Sequence, residues 1–189
     1  MAIADRFLDR MPVRSWKEMR DEGLIKQRFD YSCGAASLAT LLGYYGVETS
    51  ELEIIDRIGA KAEFSFADLA RVAEEYGFRS IGIAMDYGTL RQLRRPVIVY
   101  LNQWEEGHFS VLKGIDAHGV LLADSSWGNT RLRRSRFEHF WMSQNDAVSQ
   151  GKLLALVPST ESRAENPLLT LGEDALLLSP HQLMPVSFQ

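Results

Sequence analysis

The sequence predicts an α+β domain, with a mainly helical first half followed by a sheet of short antiparallel strands. Three observations lead there. Capping patterns of the Ser-x-x-Glu or Ser-x-x-Asp type occur at 15–18, 50–53 and 65–68, each marking a helix start. From Ser80 onward the hydrophobic period shortens, giving runs rich in β-branched residues and divided by Gly, Pro and Asp. The helical patterns precede these runs and do not alternate with them, which argues against a βαβ repeat.

Each element has its own local reason. "SWKE" at 15–18 starts a short helix that Gly23 ends. Residues 26–32 read as extended. Cys33 opens a helix in which Leu38, Leu41, Leu42 and Tyr45 fall at helical spacing, and Gly46 stops it. "SELE" begins the next helix. "SFAD" begins one whose Phe66, Leu69, Ala73 and Tyr76 form an apolar stripe. The strands read as "SIGIAM", "PVIVYL", "HFSVLKGI", "GVLLAD" and, at 152–157, "KLLALV". "RLRRSRFEHFW" reads as an edge strand running into a short helix, its arginines forming a solvated face. The domain is expected over 1–158, with its core at about 15–157. Residues 159–189, with three prolines and the patches LLTL and ALLL, read as a C-terminal extension that wraps over the body or docks on a partner.

Composition narrows the function. The chain has 189 residues, 46% hydrophobic and 24% charged, as in ordinary globular domains. Its formal net charge of −4 argues against a nucleic-acid partner, which needs a concentrated positive surface. Charges interrupt every apolar run near the N-terminus, so no membrane span is expected. The chain as it stands reads as cytoplasmic; a signal removed before residue 1 would make it periplasmic. Nothing in the residues calls for a metal or an organic cofactor.

The single cysteine, Cys33, cannot form an internal disulfide. A lone cysteine is usually a small hydrophobe, but this one opens a helix, and a helix N-terminus favours a thiolate. Gly34, Ala35 and Ala36 follow it and are expected to leave the first turn open to a peptide backbone. Gln27, six residues earlier in an extended segment, can double back to join the Cys33 N–H in holding an oxyanion. Of the four histidines, His118 lies in a hairpin loop, His139 in a basic stretch and His181 in the extension. His108, at the start of a strand on the sheet rim, is the candidate base. Asp124 ends the next strand and is the candidate orienting group. An even-numbered hairpin loop would put the two on opposite faces. An odd loop of Ala117, His118 and Gly119, with Gly119 at positive φ, puts them on one face. The offset is then about four positions, to be closed by twist or by a bulge near "ADSS".

Together "Q-x5-CGAASLATLLGYYG", "GHFSVLKGI" and "LLADSSWGN" resemble the double-glycine leader peptidases. These are papain-like cysteine peptidases, found as N-terminal domains of bacteriocin-exporting ABC transporters and as stand-alone proteins. The resemblance covers about 15–157. It implies a helical lobe and a sheet lobe with the active site between them. Cys33 would be the nucleophile, Gln27 the oxyanion donor, His108 the general base and Asp124 its orienting group. The family commonly has proline after the aspartate, where this chain has Ser125.

The resemblance further implies a peptide or protein substrate cut at a Gly-Gly type site, and a narrow cleft that Tyr31, Trp104 and Trp127 could wall. With no transporter or nucleotide-binding motif in view, the chain reads as a separate peptidase serving a secretion system, relatives of which export functional amyloid. Two other readings stay open: an inactive peptidase-like module that docks leader peptides, and an acyl transferase using the same thioester.

Overall fold

A computed structural model describes residues 14–103, 106–142 and 150–159. The expected helices of the first half are all present. They are α1 (Trp16–Arg20), α2 (Cys33–Tyr44), α3 (Glu51–Ile58) and α4 (Phe66–Glu75). At Ser15, Ser50 and Ser65 the side chain accepts from the third helical N–H, and the acidic side chain there returns a bond to the cap backbone. Each reciprocal pair satisfies two N–H groups that the helix itself cannot.

The remaining elements are β1 (Phe78–Met85), α5 (Tyr87–Leu90), β2 (Val97–Gln103), β3 (Glu106–Asp116), β4 (Gly119–Asp124), β5 (Gly128–Leu132), α6 (Arg134–Trp141) and β6 (Gly151–Pro158). They form one six-stranded sheet in the order β1-β6-β2-β3-β4-β5, with antiparallel pairing throughout. The short α5 was not anticipated; its signal is Asp86, whose carboxylate accepts from Thr89 N–H. The expected edge strand begins at Gly128, earlier than read, and does run into α6.

Both faces of the sheet are covered. On one face Ile98, Phe109, Val111, Ala123, Leu154 and Leu156 pack under α2, α3 and α4. On the other, Val99, Leu101, Leu112, Leu122 and Leu153 pack with Phe137 and Trp141 of α6. Alternation along β2, with Ile98 on one side and Val97 and Val99 on the other, is what a strand buried on both faces requires. Helix α2 is buried at every residue except Gly43, so it is the central helix rather than a surface one. Replacing fully buried Leu41 by alanine would cost about 2–5 kcal/mol. Because α2 is immobilised along its length, Cys33 at its first position is fixed too.

Small residues follow Cys33 for a reason other than the one expected. Ala35 and Ala36 are fully buried, and a Cβ on Gly34 would lie 3.1 Å from the Phe109 ring. The first turn of α2 is small because β3 crosses it closely, not because it lies open to a substrate.

Candidate active site

Cys33 and His108 come from opposite lobes and meet at the rim of the sheet. Cys33 is 8% exposed, and its Sγ accepts from Phe109 N–H at 3.5 Å. His108, one residue earlier, hydrogen-bonds through its side chain to both Cys33 and Asp124. The Asp124 bond runs from His108 Nε2 to Oδ2 at 2.9 Å. Nδ1 is therefore the nitrogen that serves the sulfur.

The register explains how His108 and Asp124 meet. The β3–β4 turn holds only Ala117 and His118, since Asp116 pairs with Gly119. Gly119 does have positive φ, 144°, but the three-residue loop expected from the sequence is not formed. With two loop residues and no irregularity, Asp124 would lie opposite Val111, on the wrong face for His108. A bulge between Leu112 and Gly114 inserts Lys113 as an unmatched residue. Beyond it Val111 pairs with Ala123, so the register carries Asp124 to Ser110, two positions from His108 on the same face. The bulge lies in β3, not near "ADSS", and the offset is two positions rather than four.

Electrostatics follow from these contacts. Burial alone would lower the His108 pKa, but hydrogen bonds to Asp124 and Cys33 and their charges outweigh it, raising the value to about 9. Burial pushes the Asp124 carboxyl up. The His108 bond and charge, with N–H donation from Trp127 and Ser126, hold it below the ordinary value. Both backbone bonds go to Oδ1 at 2.9 Å. One carboxylate thus binds the histidine with one oxygen and pins the turn 125–127 with the other.

Gln27 lies against that turn. Its N–H donates to Ser125 O at 3.2 Å. Its side-chain Oε1 accepts from Ser125 Oγ and Ser126 Oγ, each at 2.7 Å. Its amide nitrogen donates to Phe29 O at 3.0 Å and to Asp30 O at 3.4 Å. The amide orientation is fixed by chemistry: flipped, Oε1 would face two carbonyl oxygens. Ser125, the departure from the common proline, is therefore one of two hydroxyls that hold Gln27. No local pattern marks this contact, because the partners are 98 residues apart.

Tyr31 is half exposed, stacked on Phe29 with centroids 5.5 Å apart and edge-on to Phe64 at 5.8 Å. Trp127 is exposed on the turn that Asp124 pins. Trp104 and His181 lie outside the described residues, as does the extension from 160 on. His118 is exposed in its hairpin turn. Tyr100, not singled out from the sequence, closes over the strand before His108: a Cβ on Gly107 would fall 1.5 Å from its hydroxyl.

A cysteine at the start of a buried central helix, beside a strand-borne histidine–aspartate pair, is the arrangement of a papain-like cysteine peptidase. The comparisons narrow the class. The chain belongs to the Peptidase C39 family, whose model matches residues 21–145, and it is a cysteine peptidase by that membership. It is 32% identical over 170 residues to the "Probable functional amyloid protease FapD" of Pseudomonas aeruginosa, covering 85% of this chain and 71% of that protein. Over 138 residues it is 33% identical to the protein of the same name from Pseudomonas fluorescens, covering 68% of this chain and 61% of that one. Among solved structures, the peptidase domain of Streptococcus ComA, a bi-functional ABC transporter, aligns with TM-score 0.63 at 24% identity, over 72% of this chain and 98% of that one. A double glycine motif protease from an AMS/PCAT transporter, in complex with the leader peptide, aligns with TM-score 0.61 at 22% identity, over 71% and 90%. These two matches establish the shared fold. Among the described residues no helix is long and apolar enough to cross a membrane.

Proposed function

We propose that the chain is an endopeptidase that cleaves peptides or proteins after a small-residue, Gly-Gly type site, in the service of a secretion or export system. The observation that carries the catalytic part is the line Cys33–His108–Asp124, with its 2.9 Å His108–Asp124 bond. The names of the relatives support the cleavage type and the export link: one solved neighbour is a double glycine motif protease with its leader peptide, and the Pseudomonas relatives are named functional amyloid proteases.

In the proposed mechanism the Cys33 thiolate, paired with His108 imidazolium, attacks the carbonyl of the P1 residue. The tetrahedral oxyanion is held by the Cys33 N–H and by Gln27, whose longer bond to Asp30 O is the one released. His108 protonates the leaving amine, and water, deprotonated by His108, resolves the thioester. Asp124 keeps Nε2 occupied so that Nδ1 faces the sulfur. Tyr31 and Trp127 wall the cleft that admits glycine.

The reading is tested by iodoacetamide labelling of Cys33 as a function of pH, in wild type and His108→Ala. Fast labelling well below pH 8, slowed by the substitution, is expected of a thiolate–imidazolium pair. Slow labelling that is unchanged by the substitution would leave a leader-docking module without a working dyad.

A further inference from the structure

Glu51 is a buried acid outside the catalytic line. It is the first residue of α3 and only 3% exposed. Its Oε1 accepts from Arg28 N–H at 2.8 Å and from Ser32 Oγ. Ser32 Oγ in turn accepts from Phe29 N–H at 3.2 Å. The other oxygen, Oε2, is buried with no hydrogen-bond partner among the described residues.

Such a group is a poor choice for stability alone. A buried carboxyl with an unpaired oxygen carries a desolvation penalty that an apolar side chain of similar size avoids. What Glu51 does achieve is positional. Arg28 immediately follows Gln27, and Ser32 immediately precedes Cys33. One carboxyl oxygen therefore ties down both ends of the five-residue loop between the two groups assigned to the oxyanion. That loop presents the Phe29 and Asp30 carbonyls that hold the Gln27 amide. Packing holds this loop only in part: Tyr31 stacks on Phe29 and meets Phe64 edge-on, but both rings stay exposed, and Gln27, Arg28 and Glu51 border one cavity of about 450 Å³.

We propose that Glu51 is a positioning residue of the oxyanion site, holding loop 28–32 so that the Gln27 amide is aimed. The inference rests on the oxyanion role given to Gln27 above. Glu51 touches neither the substrate nor the sulfur; it acts through the loop.

The test is a double-mutant cycle on cleavage of a Gly-Gly peptide, with kcat and KM measured for wild type, Gln27→Ala, Glu51→Ala and the double variant. Gln27→Ala is expected to lower kcat about 100- to 1000-fold. Glu51→Ala is expected to lower kcat by about tenfold or more with KM within about threefold, and to add nothing in the Gln27→Ala background. Glu51→Gln, which keeps the acceptor for Arg28 and Ser32, should restore most of the loss. Should Glu51→Ala not fold, Ser32→Ala cuts the same link from the loop side, with an expected loss that again vanishes without Gln27.

A full kcat in folded Glu51→Ala, or a loss of equal size in both backgrounds, overturns the inference. If Gln27→Ala itself keeps the wild-type kcat, the oxyanion reading has failed and the inference falls with it. An impaired Gln27→Ala beside an unimpaired Glu51→Ala fails the inference alone.

Discussion

His108 Nε2 and Asp124 Oδ2 stand 2.9 Å apart although the turn joining their strands would by itself put them on opposite faces of the sheet. Lys113, the unmatched residue of the β3 bulge, reverses that parity. Deleting Lys113 takes out only that unmatched residue: Leu112 then runs straight on to Gly114, Asp124 stays opposite Ser110, and the pair should survive with cleavage within about tenfold of wild type. Inserting one residue between Phe109 and Ser110 instead turns His108 to the opposite face and should cost cleavage at least about 100-fold. Cleavage assays and melting curves on the two variants check this; an insertion variant with wild-type activity would refute the parity argument.

Cys33→Ala should abolish cleavage while leaving the fold intact. The side chain is small and loses only a long N–H to sulfur contact and its bond with His108, so the stability cost is expected to be about 1 kcal/mol or less. Peptide cleavage and a thermal melt on the same sample suffice, and any surviving turnover would remove Cys33 from the nucleophile's role.

Stability should fall as pH rises through the titration of His108. The imidazole titrates at about 9 when folded against an ordinary 6.5. The folded state therefore favours the protonated ring. That stabilisation is complete below about pH 6.5 and is lost as pH passes 9, a loss of roughly 3 kcal/mol. Asp124→Asn removes the main favourable partner and should flatten this window. Urea unfolding of both proteins from pH 6 to 9.5 measures it, and parallel curves would mean that the Asp124 bond does not set the histidine's charge.

Ser125→Ala should lower kcat about three- to tenfold with little change in KM. It removes one of two hydroxyls on Gln27 Oε1, and a neutral hydrogen bond contributes about 0.5–1.5 kcal/mol. Removing Ser126 as well should deepen the loss. Unchanged kcat in the double variant would show that Gln27 needs no such hold.

Local chemistry was legible in the sequence, and long-range pairing was not. The boxes at Ser15, Ser50 and Ser65 close within three residues, so their patterns alone identified α1, α3 and α4. Cys33, His108 and Asp124 could be singled out because each sits at the end or rim of an element read from periodicity. The bulge at Lys113 left no mark, since its cost and benefit depend on which residue of β4 lies opposite. Gln27's partners are hydroxyls about a hundred positions away, and Glu51 looked like one more acidic residue in a helix cap. Even Gly34-Ala35-Ala36 takes its meaning from Phe109 across the interface and not from the substrate.

Asp124 binds the base with one oxygen and the turn that grips Gln27 with the other. Under the roles proposed, proton transfer and oxyanion binding therefore share a single point of failure. One substitution there would silence both while sparing the helical lobe and the sheet. A lineage leaving proteolysis for mere recognition of its former substrates would need no gradual erosion. It could make the change in one step and keep the same surface for holding the peptide.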